Sequence, residues 1–114
     1  MSDMWREDGV RGDKAPRTYT VGEWPDHAVP AEDAPAAVYY SLALARRLDA
    51  RCHELGISDR AASGRAGLAT NAAGRIIRGE VYPDLASLAR LETALQAQLY
   101  PVGIYRQVAE ETAE

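Results

Sequence analysis

The chain has 114 residues, 46% of them hydrophobic, with 13 basic and 17 acidic side chains and a net charge of −4. That length suits one small domain with some additional chain. The single cysteine, Cys52, allows no internal disulfide, and no apolar run approaches the roughly 18 residues that a membrane helix needs. The opening Met1-Ser2-Asp3 carries no apolar signal segment, so a cytoplasmic location is expected.

Phe is absent and Ala abundant. A core of Leu, Ile and Ala suits closely approaching helices, so the fold is predicted to be all-α. Charge is unevenly spread. Residues 1–34 hold 4 basic and 8 acidic groups, residues 35–100 hold 8 and 6, and residues 101–114 hold 1 and 3. A mildly basic centre, with arginine as its only basic residue, is flanked by acidic ends. That is weak electrostatics for a nucleic-acid binder. Three segments are expected: an acidic, Gly/Pro-containing N-terminal arm (1–33), a helical domain (34–100) and a C-terminal helix and tail (101–114).

Within the arm, Arg17 to Val21 alternates weakly and reads as a short strand. Trp5, Tyr19, Val21 and Trp24 are too apolar for a pure linker. Three roles stay open: one or two aromatics dock on the helical body, the arm pairs with a second subunit, or Arg11, Lys14 and Arg17 enter a minor groove. Asp8 and Asp13 oppose the last.

A first helix is predicted from Pro35 to Leu55, capped by Asp33 and stopped by Gly56. Val38, Leu42, Ala45, Leu48, Cys52 and Leu55 form its apolar stripe. Arg46, Arg47 and Arg51 are expected on the outer side with Asp49 and Glu54, as solvated pairs. Cys52 reads as a small core residue and His53 as exposed. Cys52, His53 and His27 have no zinc-site spacing.

The stretch 57–79, ISDRAASGRAGLATNAAGRIIRG, reads as two short helices joined by a tight turn. Ser58 is the N-cap of the first, Arg60 to Arg65. Gly67 supplies the left-handed turn. The second is predicted to start at Ala69 or Thr70 and run to Arg78, with Gly79 ending it. Ala62, Ala66, Leu68, Ala73 and Ile76 make a shared inner face. Thr70, Asn71, Arg75 and Arg78 face outward. This is the helix-turn-helix pattern. The plainer alternative is that these polar residues are only the wet face of a helix.

Asp84 is the expected N-cap of a further helix whose Leu85, Leu88, Leu91 and Leu95 face inward, with Arg90 and Glu92 outside. Leu99, Tyr100, Ile104 and Val108 lie along one side of a last helix starting near Pro101. That side either closes the bundle or builds a two-fold contact. No nucleophile–base–acid arrangement or phosphate loop is present, and neither an enzymatic activity nor a cofactor is expected.

With Ser58, Ala62, Gly67, Leu68, Ile76 and Gly79 in register, and YPDLASLARLETAL (82–95) following, residues 36–100 resemble the Xre/Cro-type helix-turn-helix regulators of bacteria and phages. The resemblance implies a compact, lambda-repressor-like bundle of about five helices that binds double-stranded DNA. It places the family's base-reading positions on Thr70, Asn71, Gly74 and Arg75. Arginine suits guanine and asparagine suits adenine in the major groove, while Gly74 has no side chain to read with. Phosphate contacts are expected from Ser58, Arg60, Arg78 and Tyr82. The sequence departs from the family where Asp59 replaces a phosphate-binding Gln, where Ala62 and Ala73 replace larger core residues, and where Ile77 replaces Glu. The expected function is sequence-specific transcription regulation by a homodimer. The alternative is a protein-interaction module on the same fold, antitoxin-like or an adaptor, that binds a protein partner and has weak or lost DNA binding.

Overall fold

The computed structural model describes residues 14–112 of the chain. It is an all-α bundle of five helices with one two-residue strand pair. The order is a 3-10 turn (Pro16–Tyr19), β1 (Thr20–Val21), β2 (Val29–Pro30), α1 (Ala36–Leu55), α2 (Asp59–Arg65), α3 (Ala72–Ile77), α4 (Leu85–Leu95) and α5 (Ile104–Thr112). β1 and β2 are antiparallel, with Thr20 opposite Pro30 and Val21 opposite Val29.

The apolar stripe of α1 is the spine of the molecule. Its Leu48 and Cys52, with Leu44, which the predicted stripe does not include, meet Ala62 and Ala66 of α2, Ala73 and Ile76 of α3, and Leu88, Leu91 and Leu95 of α4, with Leu99 closing the end. Leu48, Leu91, Leu95 and Leu99 are fully enclosed. Burial of each contributes about 1.5–3 kcal/mol. The alanines at 62, 66 and 73 let the short helices approach closely without a large side chain between them. Ile77 adds to this core from the rim. A second cluster forms at the other end of α1. Ala34, Val38 and Tyr39 pack there with Tyr19, Tyr82, Ile104 and Val108. The last helix therefore closes the bundle through Ile104 and Val108.

Helix ends follow local chemistry. The Ser58 hydroxyl accepts the Ala61 amide at 3.0 Å, and the Asp84 carboxylate accepts the Ser87 amide at 2.7 Å. Asp33 makes no such cap. The residue before α1 is Pro35, with no side-chain cap bond, and Asp33 points into solvent. α4 ends on Gln96 in the left-handed region (φ 50°). There the Arg51 guanidinium donates to the Leu95 carbonyl at 3.0 Å, which satisfies one of the open groups of that terminus.

Arg46 differs from the expected solvated pairs, while Arg51 makes its pair and also bonds the end of α4. Arg46 donates to the carbonyls of Pro25 (2.8 Å) and Ala28 (2.7 Å), pinning the N-terminal segment to α1. Loop carbonyls with no strand partner take these donors, which outcompete a solvated acid. Only Arg47 and Arg51 pair with Glu54, at 3.5 and 3.2 Å. Glu92, expected outside, is half-buried and accepts the amides of Leu99 (2.8 Å) and Tyr100 (2.9 Å), tying down the chain reversal after α4. Leu85 is 78% exposed rather than inward, because it sits on the first turn of α4, beyond the core elements that cover Leu88.

Residues 16–34 lie on the bundle. The Arg17 amide donates to the Gly79 carbonyl at 3.0 Å, Ala28 is buried, and Trp24 packs on Gly79. Tyr19 and Trp24 are thus the docking aromatics. Trp5, Arg11, Asp8 and Asp13 lie outside the described residues. Among the described residues, no helix is long and apolar enough to cross a membrane.

Candidate functional site

The two helices at the centre of the sequence pattern are joined as its glycine demands. Gly67 takes φ 70°, its amide donates to the Gly64 carbonyl at 3.1 Å, and the Leu68 amide donates back to Ser63 at 2.9 Å. This paired closure ends α2 and turns the chain. Gly79 (φ 70°) ends α3 in the same manner, with amide bonds from Gly79 to Ile76 and from Glu80 to Arg75.

α3 is shorter than predicted, starting at Ala72 instead of Ala69 or Thr70. The cause is Ser63, a fully buried hydroxyl that sequence inspection passes over among the alanines. Ser63 donates to the Asp59 carbonyl (3.1 Å) and accepts the Ala73 amide (2.9 Å). The Ala69 carbonyl instead accepts from Ala72 at 2.9 Å, so residues 69–72 form a turn. Thr70 and Asn71 consequently sit in that turn, exposed, while of the expected reading positions Gly74, buried, and Arg75, exposed, lie within the helix.

Gly74 acquires a role that its lack of a side chain hid. It is buried, and a Cβ there would meet Asp59 Oδ2 at 2.7 Å and Arg78 Nη1 at 2.8 Å. The bare backbone leaves room for Asp59 of α2 and Arg78 to approach across α3, at 3.8 Å.

A knot of charge lies at the end of α3. Glu80 hydrogen-bonds Arg78 Nε at 2.9 Å and approaches Arg75 Nε at 3.6 Å and Arg17 Nη1 at 3.7 Å. The hydrogen bond from Arg78, with the charges of Arg78, Arg17 and Arg75, holds the Glu80 carboxyl below its ordinary range, and the same bond raises Arg78. Arg17 also donates to the Arg78 carbonyl at 3.4 Å. Thus two arginines expected at a DNA surface, Arg75 and Arg78, share one carboxylate with an arginine from the N-terminal segment. Helical periodicity gave no sign of Glu80, because the pairing depends on a turn that folds it back over the helix.

The remaining expected contacts separate. Ser58 keeps its cap role on an exposed turn and Arg60 is exposed beside it. Tyr82 is half-buried against the second core cluster, with its hydroxyl oxygen enclosed. Tyr82 nonetheless also borders the face that carries Asn71 and Arg75. A shallow depression of about 260 Å³ is bordered by Asn71, Arg75, Ile76, Val81 and Ser87. A larger apolar groove of about 490 Å³, between Tyr40, Leu44, Leu85, Leu88 and Tyr100, adjoins it at Tyr82, Pro83 and Asp84. Compared with family models, curated proteins and solved structures, the chain matches none.

Proposed function

We propose that the protein is a sequence-specific, double-stranded-DNA-binding transcription regulator of the Xre/Cro helix-turn-helix kind, acting as a homodimer in the cytoplasm. The observation that carries this reading is the joint exposure of Thr70, Asn71 and Arg75 on α3 and the turn before it, beside the glycine-closed α2. In the mechanism, Arg75 bonds guanine O6 and N7, and Asn71 pairs with adenine. Thr70 touches a thymine methyl or a phosphate. Arg60 and Arg78 hold phosphates, with Ser58 presenting the first turn of α2. Occupancy of the operator is the regulatory act.

A salt titration of DNA binding tests this reading. Fragments from the neighbourhood of the protein's own gene are competed against random duplex. A specific regulator prefers one fragment by about a thousandfold or more, and log K falls with log salt at roughly 0.9 per phosphate neutralised. Absence of binding even at low salt would sink the reading.

A second reading is favoured by two observations. Arg75 and Arg78 are already paired with acids, and the groove beside Leu85 and Tyr100 leaves apolar surface open. In that case the protein is an interaction module, antitoxin-like or an adaptor, whose partner is a protein. Retention of a partner by a chain that shows no salt-dependent DNA binding would establish it.

A further inference from the structure

The geometry points to Glu80 as an internal competitor for a phosphate: Arg17 and Arg78 form an oxyanion site that the chain's own carboxylate occupies, holding Arg75 beside it, until a phosphate displaces the carboxylate and frees Arg75 for a base. The inference takes its ligand from the DNA reading above and adds the regulation of that surface.

The argument starts from the arrangement of donors. Three guanidinium groups converge on one carboxylate, Arg78 at 2.9 Å, Arg75 at 3.6 Å and Arg17 at 3.7 Å. They come from two distant parts of the sequence. Arg75 and Arg78 flank the end of α3, and Arg17 is brought in by its amide bond to the Gly79 carbonyl. Arg17, Arg75 and Arg78 are each about half exposed. Glu80 is therefore bound where solvent and a ligand still reach the same nitrogens. Carboxylate and phosphate present similar oxygens to a guanidinium fork, so whichever anion is present satisfies the same donors.

Glu80 is well suited to leave. Only the Arg78 contact is a hydrogen bond; the other two are longer ion pairs. Exposed pairs of this kind are individually weak. Glu80 follows Gly79, whose left-handed conformation turns the chain off α3. Rotation of the Glu80 side chain alone would vacate the cluster without unwinding the helix. Asp59 stays against Arg78 at 3.8 Å and keeps that arginine oriented after Glu80 departs. The net effect in the free protein is a damped positive surface, which lowers indiscriminate attraction to nucleic acid. A phosphate held at a fixed place by base contacts is bound locally and competes with Glu80 far better than a random one.

The test compares Glu80→Gln with Glu111→Gln, which removes the same charge from α5. Each full-length variant is first checked for an unchanged far-UV spectrum and melting profile. Binding of a random duplex is then followed by fluorescence anisotropy at stepped salt. E80Q is expected to bind about 5–30-fold more tightly than E111Q, with a log–log slope steeper by roughly one to two, as for one or two additional phosphates neutralised. Equal affinity and slope for the two variants would overturn the inference, and so would weaker binding by E80Q, which would make Glu80 a positioning residue for the arginines. A second probe separates failure of the inference from failure of the DNA reading. Inorganic pyrophosphate is titrated while the arginine Nε–H signals are followed by NMR. If no variant binds duplex but E80Q alone gains pyrophosphate affinity at Arg17 and Arg78, the masked oxyanion site stands and the DNA reading falls. If pyrophosphate moves these signals no more in E80Q than in E111Q, the masking inference falls whatever the duplex result.

Discussion

Trp24 lies directly on Gly79: a Cβ at Gly79 would stand 2.6 Å from the indole Cε2 and 2.7 Å from Cδ2. Gly79 also takes φ 70°. Two demands therefore fall on one residue, a left-handed turn that ends α3 and a flat surface for the ring. Gly79→Ala meets both penalties. The backbone alone costs an L-residue about 1–2 kcal/mol, and the displaced indole adds to it. We expect a total loss above about 2 kcal/mol, measured by urea unfolding, with a red shift of tryptophan emission. In a Trp24→Ala background the same substitution should cost less, because the ring is no longer there to displace. Additive effects of the two changes would show that the contact is not the cause.

Ser63 is the buried hinge of the two-helix motif. Its hydroxyl links the Asp59 carbonyl in α2 to the Ala73 amide in α3. Ser63→Ala leaves the Ala73 amide inside the core without that acceptor. Leaving a buried donor unsatisfied costs about 1–3 kcal/mol. The expected outcome is a loss of that size in chemical denaturation, with faster hydrogen exchange at Ala73 than at Leu48. An unchanged exchange rate at Ala73 would mean that α3 has re-formed with an amide bond back to Ala69.

These two positions mark the limit of what was legible in the sequence. The stripe of α1, the Ser58 and Asp84 caps and the glycine ends at 56, 67 and 79 are short-range signals, and all of them are present in the fold. The all-α class follows from them. Ser63 was not legible because a serine between alanines carries no periodic signal, and its effect is to move the start of α3. Helical position alone puts Arg46 and Glu92 in solvent, because it predicts only a face. It does not predict that a loop carbonyl or a returning amide will arrive there. The Glu80 cluster joins residues 17, 75, 78 and 80, and only the three-dimensional fold brings the first to the others.

Acid should weaken the fold through two carboxyls. The Ser87 backbone amide, helped by the Ser87 side chain, lowers Asp84 from its ordinary 3.8. The hydrogen bond from Arg78 lowers Glu80 from its ordinary 4.5. Both folded values lie below the unfolded ones, so the stability they contribute is present above the ordinary carboxylate range. It is lost as pH falls through the folded values. The melting temperature should be flat between neutral pH and about 5, then decline below about 4.5. Asp84→Asn retains a good N-cap but has no charge to titrate, and should show a shallower acid limb. Asp84→Ala should lose about 1 kcal/mol already at neutral pH. At the alkaline end, burial, with Asp49 and Asp59 nearby, raises the Cys52 thiol above its ordinary 9.0. Its contribution is complete below that value and fades above it. An acid limb unaltered by Asp84→Asn would remove Asp84 from the account.

Arg75 and Arg60 should separate reading from holding. Both are exposed, but Arg75 lies within α3 whereas Arg60 belongs to the first turn of α2. If Arg75 forks onto a guanine, Arg75→Ala costs about 1–3 kcal/mol on the preferred fragment. It should cost much less on the same fragment with that base pair changed, so preference at one position relaxes. Arg60→Ala should instead weaken all duplexes to a similar extent and reduce the salt slope by roughly one. Anisotropy titrations against a panel of single-base-pair variants decide between them. The two residues also differ in their surroundings. Arg75 must first leave Glu80, 3.6 Å away, so in the Glu80→Gln background the penalty of Arg75→Ala should grow. A penalty for Arg75→Ala that is uniform across the panel would make Arg75 a phosphate contact and move base reading to Thr70 and Asn71 in the preceding turn.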